Sequence, residues 1–245
     1  MENQFTKSNT LYVILVAVMT ISVSCILLES EATIYDGRGY FTISPDTIIE
    51  DLLEGKEGVF IPRESSPFVS YPELGNPVQW SIQEYIFIAQ SVNELIWGNS
   101  LTNWELNMVR GDWHCEYYYS GPQSAEFRLF RIGGNNEKSR YVSTIEIIPR
   151  RSLVTWHKEE HFPVILNWKN IDMNKIDISM EEAVEIAEKN GGYEARTNVK
   201  NECSITAILN PESPIYHGWI VSYRKDYGER FELYHINPKT GKIIK

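Results

Sequence analysis

The sequence predicts an α+β fold, in which an N-terminal transmembrane or signal helix precedes two units, each a capped helix followed by an antiparallel meander. Three observations carry that reading. Leu11 to Leu28 is an uncharged apolar run, long enough as a helix to cross a bilayer. A Ser-x-x-Glu capping pattern opens a helical apolar stripe twice, at Ser81/Glu84 and at Ser179/Glu182. After each stripe the chain changes to apolar-polar alternation broken by Gly, Pro and Asn.

Residues 1–28 form the first segment. At about 1.5 Å per residue, "LYVILVAVMTISVSCILL" spans roughly 27 Å. A core helix of that length would carry a polar stripe, and this one offers only Thr20, Ser22, Ser24 and Cys25. Lys7 lies before the run and Glu29 and Glu31 after it, which places everything beyond residue 28 on the outer side. Two anchoring modes stay open. "SVSC" at Ser22 to Cys25 resembles a bacterial lipoprotein processing site, with Cys25 the residue lipidated after cleavage. Ser22 stands where such sites usually carry Leu, and Ile26 to Leu28 continue the apolar run, which favours an uncleaved signal anchor. A released secreted protein is the third alternative.

Residues 29–78 read as a short helix and a Pro-rich extended segment. Ser44, Pro45 and Gly55 punctuate the helix, with Ile48, Ile49, Leu52 and Leu53 as its buried stripe. Prolines at 62, 67, 72 and 77 then forbid regular helix. The first unit, 79–168, has a helix with a stripe of Ile82, Tyr85, Ile86, Ala89, Val92 and Ile96, stopped at Gly98. Its strands are "WELNMVRGDWHCEYYYS", "AEFRLFRIG" and "YVSTIEIIPRRSLVTWH". The second unit, 172–245, has a stripe of Met180, Ala183, Val184 and Ala187 with Gly191 and Gly192 as the stop, then "CSITAIL", "HGWIVSYR", "RFELYHIN" and "KII". Whether the two units share a core is open at this level.

A formal charge of −10, with acids spread along the chain, disfavours binding to a nucleic-acid backbone. Cys115 and Cys203 are an even pair on the oxidising side, so they read either as a disulfide closing a loop of about 88 residues or as two unrelated buried thiols. Two arrangements point to chemistry. His157, Glu160 and His161 fit the H-x-x-E-H spacing of inverted zinc peptidases, but that motif needs a helix, and here it follows a β-patterned segment and precedes Pro163. His114 adjoins Cys115, yet neighbours on a strand face opposite ways. The expectation is therefore no catalytic residue, no metal and no cofactor, with a small metal-dependent hydrolase as the competing reading. A third reading, an envelope ligand-binding protein, uses Trp113, Tyr117 and Tyr119 on one strand face and Trp219 and Tyr223 on another as an aromatic platform.

Residues 176 to 245, from "ISMEEAVEIAEKNGG" through "GWIVSYR" to "FELYHINPKTGKIIK", resemble the PepSY domain. The marks are Ala183, Ala187, Trp219, Tyr223, Asn237, Gly241, Ile243 and Ile244, with Asn237 where the family often has Asp. The first unit shares the capped helix and meander but lacks the terminal turn. PepSY domains occur in propeptides of thermolysin-type peptidases and in membrane-tethered extracytoplasmic bacterial proteins. The resemblance implies a non-catalytic ectodomain outside a bacterial cytoplasmic membrane that binds or restrains a protein partner, with a peptidase as the partner class.

Overall fold

The computed structural model describes residues 32–43, 60–63, 82–98, 103–133, 138–151, 153–164, 168–211, 218–225 and 228–244. The Leu11–Leu28 run with Cys25, the Ser44–Gly55 helix and Ser81 lie outside the described residues. Among the described residues no helix is long and apolar enough to cross a membrane.

The elements in chain order are β1 (Ala32–Ile43), β2 (Phe60–Arg63), α1 (Ile82–Trp97), β3 (Glu105–His114), β4 (Ser124–Ile132), β5 (Arg140–Ile148), β6 (Leu153–Phe162), α2 (Met180–Ala187), α3 (Tyr193–Asn198), β7 (Cys203–Leu209), β8 (Trp219–Lys225) and β9 (Arg230–Ile236). Among the described residues the strands make one sheet, ordered β2-β1-β6-β5-β4-β3-β7-β8-β9. The two meanders meet through their first strands, which pair antiparallel from Val109 opposite Leu209 to His114 opposite Ser204. One apolar cluster runs from Tyr85 and Val92 through Val109 and Trp113 to Ala187 and Ile236, so the two units share a core.

Helices cover one face of the sheet, α1 on β4 and β5 and α2 on β7 and β8. Alternation in β4 explains why: Ala125, Phe127 and Leu129 are buried, while Glu126 and Arg128 are only partly covered. Glu126 lies opposite Glu146, and burial raises its carboxyl above the ordinary value against the pull of Arg110. Arg110 in turn reaches Asp112 at 2.9 Å, and Asp112 accepts a 2.7 Å hydrogen bond from Thr206 Oγ1.

Residues 32–43 form a full strand inside the span read as helix and extended chain. Gly37 and Gly39 dilute its β character in the sequence, and both serve packing. A Cβ on Gly39 would collide with the Trp156 indole, and one on Gly37 would meet Tyr35 Oη at 2.9 Å. The α1 stop is as expected, with Gly98 at φ +71°. The capping box at α2 also forms: Glu182 N donates to Ser179 Oγ at 3.1 Å, and Ser179 N donates to Glu182 Oε2 at 2.7 Å. The expected stop falls at Gly191: within the turn Glu188–Gly192, Asn190 and Gly191 leave helical geometry, Gly191 at φ +117°, and the chain then enters α3. A Cβ on Gly192 would collide with the Tyr223 phenol, so this glycine serves close packing and not termination.

The first predicted strand, 104–120, ends early. β3 stops at His114, whose Nδ1 accepts from Glu116 N at 3.3 Å, and Cys115–Ser120 coil into a 3₁₀ turn that takes Tyr117 and Tyr119 off the Trp113 face. At the C-terminus, Asn237 Oδ1 accepts from Lys239 N and Thr240 N, both at 2.9 Å, doing the work of the Asp it replaces. Gly241 adopts the expected positive φ, +67°. The returning strand shrinks to a bridge between Ile236 and Ile243. Pro238 O accepts from Asp177 N and Ile178 N, both at 2.9 Å, tying this turn to the start of α2.

Candidate binding surface

The H-x-x-E-H spacing falls within β6, where period two separates its members. His157 and His161 face the open side with Glu159, while Glu160 faces the other way and hydrogen-bonds Tyr141. His157 Nε2 lies 2.7 Å from Asp36 Oδ1 and 3.6 Å from Glu159 Oε1, and His161 Nε2 lies 3.5 Å from Glu159 Oε2. Arg38 first, then His157, holds the Asp36 carboxyl below its usual range. This is a polar seam joining β1 to β6, without the water-activating Glu that the peptidase geometry needs. Among the described residues no three His, Cys, Asp or Glu side chains are grouped to hold a metal ion.

Cys115 and Cys203 form a disulfide with their Cα atoms 5.3 Å apart, so Cys115 presents no thiol to His114. The bond closes the junction where β3 meets β7. Trp113, Trp219 and Tyr223 are buried in the core, which removes them from any aromatic platform. Trp219 Nε1 donates instead to Ile178 O at 2.9 Å.

Beside the disulfide lies a cluster that the sequence reading missed. The Glu188–Gly192 turn places Glu188 inward, where its carboxylate accepts from Arg196 Nε and from Tyr223 Oη, each at 2.8 Å. The Glu188 and Arg196 side chains are only 6% and 4% exposed. Arg196 Nη1 donates to Asn201 Oδ1 at 2.7 Å and to Cys115 O at 3.4 Å, so a side chain of the second unit holds backbone of the first. Burial opposes the Arg196 charge, but the hydrogen bond and charge of Glu188 outweigh it and keep its pKa raised. Burial, then Glu188, pushes the Tyr223 phenol strongly up. The signal was present in the sequence: the stripe Ala183, Val184, Ala187 continues onto Glu188, and a buried acid requires a partner.

Around Arg196 stand the rings of Tyr118, Tyr193 and Tyr119, at 4.8, 5.0 and 5.9 Å from its guanidinium carbon. Tyr118 packs at a tilt against Tyr119, ring centroids 4.0 Å apart, and burial raises its phenol to about 12. Tyr117, Tyr119 and Tyr193 are exposed. The disulfide end of the sheet is therefore a rigid base carrying three open tyrosine rings. At the opposite end, Ile171, Ile176, Leu209, Pro211 and Pro238 line a groove of about 250 Å³.

Fold and surface together define a helix-covered antiparallel sheet in which a buried polar cluster holds chain to chain beside exposed rings. Within that class, the C-terminal unit matches a known family: residues 177–245 fit the model of PepSY, the peptidase propeptide and YPEB domain. That match begins with the turn leading into α2 and includes the Asn237–Gly241 turn, and the first unit lies outside it. No curated protein matches the chain. Among solved structures, the dehydratase domain from the CurK module of curacin polyketide synthase aligns at 8% identity over 89% of this chain and 95% of that one, with a TM-score of 0.18. A similarity that weak carries no argument.

Proposed function

We propose that this protein is a membrane-anchored, extracytoplasmic, non-catalytic module that binds and restrains a protein partner, with a peptidase as the partner class. The observation that carries the reading is the match of residues 177–245 to a family described by its place in peptidase propeptides. Two features of the described chain support it. Neither chemistry suggested by the sequence has its reacting groups together, since Glu160 faces away from His157 and His161, and Cys115 is bonded to Cys203. The disulfide, the Glu188–Arg196 pair and the shared core make a rigid body suited to presenting a surface. Residues 11–28 supply the anchor, as an uncleaved signal anchor or through lipidation at Cys25, with the sheet outside a bacterial cytoplasmic membrane.

The test combines purified full-length protein with secreted metallopeptidases from the same envelope and follows casein hydrolysis and complex formation. Slower hydrolysis with a stoichiometric complex is expected. Absence of both would overturn the restraining role. Hydrolysis of peptides, glycans or esters by the protein itself, abolished by one point change, would overturn the non-catalytic reading.

A further inference from the structure

Strand register sorts the exposed apolar side chains between the two ends of the sheet. Tyr35 lies level with Glu160, Tyr141 and Arg131, at the end opposite the disulfide. The last turn of α1 meets it there: Lys158 Nζ donates to Ile96 O at 2.7 Å and sits 4.9 Å from the Trp97 ring and 5.6 Å from the Tyr35 ring. Ile34, Tyr35, Leu95 and Ile132 are all exposed at this end, Ile34 and Leu95 by more than half. The other end shows tyrosines instead.

Chain connectivity decides what this apolar end faces. Only Glu29, Ser30 and Glu31 separate Leu28 from Ala32, the first residue of β1. At about 3.5 Å per residue, the start of β1 can lie no farther than ~14 Å from the end of the apolar run. Lipidation at Cys25 would lengthen that tether to about 25 Å, still short of the sheet's far end. Trp and Tyr favour the headgroup layer, where an apolar ring body and a polar tip are both satisfied, and a Lys stem can reach up from it.

We propose that the Tyr35–Leu95–Trp97 end of the sheet rests on the lipid headgroup layer, so that the protein stands on the membrane with its disulfide end and open tyrosines directed away. The proposal rests on the anchoring reading above. It sets the tyrosine-bearing end as the surface that a partner approaching from outside meets first.

The test places the photo-cross-linker p-benzoylphenylalanine at Leu95, at Ile132 or at Tyr119 in the full-length chain, reconstituted in phosphatidylcholine/phosphatidylglycerol vesicles. All three positions are exposed, so the label replaces no buried side chain. Flotation with the vesicles reads anchoring, and lipid adducts after illumination read orientation. The expected result is flotation of all three proteins, lipid adducts from 95 and 132, and none from 119 above the dark control. Flotation without adducts at 95 and 132, or with equal adducts at all three positions, overturns the proposal and leaves the anchor standing. Failure to float overturns the anchor and the proposal together.

Discussion

Replacing Arg196 with Met tests the cluster that joins the two units. The substitution keeps an unbranched side chain in the space but removes the guanidinium. Glu188 is then left with a carboxylate 6% exposed whose remaining hydrogen bond comes from Tyr223 Oη at 2.8 Å. Breaking one side of a buried pair costs about 3–5 kcal/mol, because the surviving charge keeps its desolvation penalty without its partner. Contacts with Tyr118, Tyr193 and Tyr119 are lost as well, at roughly 0.5–1 kcal/mol each where the ring is exposed. With Tyr193 and Tyr119 as the exposed rings, the expected loss is therefore about 4–7 kcal/mol, which at 2–4 °C per kcal/mol for a chain of this size lowers Tm by roughly 8–28 °C. Urea unfolding of oxidised protein measures it. The double variant Glu188→Met/Arg196→Met is the decisive control, since removing both charges removes the desolvation cost and should recover most of the loss. A single-variant loss below about 1 kcal/mol, or a double variant equal to the sum of the singles, would refute the reasoning.

Three further outcomes are expected. Gly241→Val forces a β-branched residue to φ +67° and brings its Cβ within 3.0 Å of Ile186 Cδ1, which should cost about 2 kcal/mol; an unchanged urea midpoint would count against this turn. Cys115→Ser/Cys203→Ser opens a loop spanning 88 residues and should lose about 4 kcal/mol, read as a lower urea midpoint that no longer responds to reductant. Burial raises the Glu181 carboxyl despite its Ser179 hydrogen bond, so its folded pKa lies above the unfolded one and its contribution is lost as pH rises through the folded value. Glu181→Gln should therefore melt above wild type at pH 7, with the gap closing toward pH 4; a gap that widens in acid would reverse the sign.

What could be read in advance was local. Ser179 and Glu182 meet across a single turn, so their spacing alone announces the capping box. Asn237, Pro238 and Gly241 likewise specify their turn through side-chain acceptor, fixed φ and free φ. What escaped depended on distant partners. Gly192 looks like a helix stop until Tyr223, packed from β8, shows why a side chain cannot fit there. β1 was hidden because its two glycines lower strand propensity, while the aromatic rings lying on them restore the packing. Tyr117 and Tyr119 continued the alternation of β3, and only the disulfide and the His114 cap turn the chain away. For the candidate site, Tyr223 was named as a mark of the family resemblance and as one ring of the aromatic platform, whereas Arg196 was missed because nothing near it in sequence requires its burial.

The pairing of β3 with β7 also sets an order of events. Val109 and Leu209 are about 100 residues apart in sequence, so the first meander is complete on its outer strands long before its inner edge has a partner. Until β7 arrives, β3 presents an unsatisfied row of amides and carbonyls beside buried-type side chains such as Trp113, a template for pairing with any extended chain nearby. During synthesis the half-emerged chain is thus prone to misassociate at its centre, and delivery of residues 203–209 closes the seam that makes it safe.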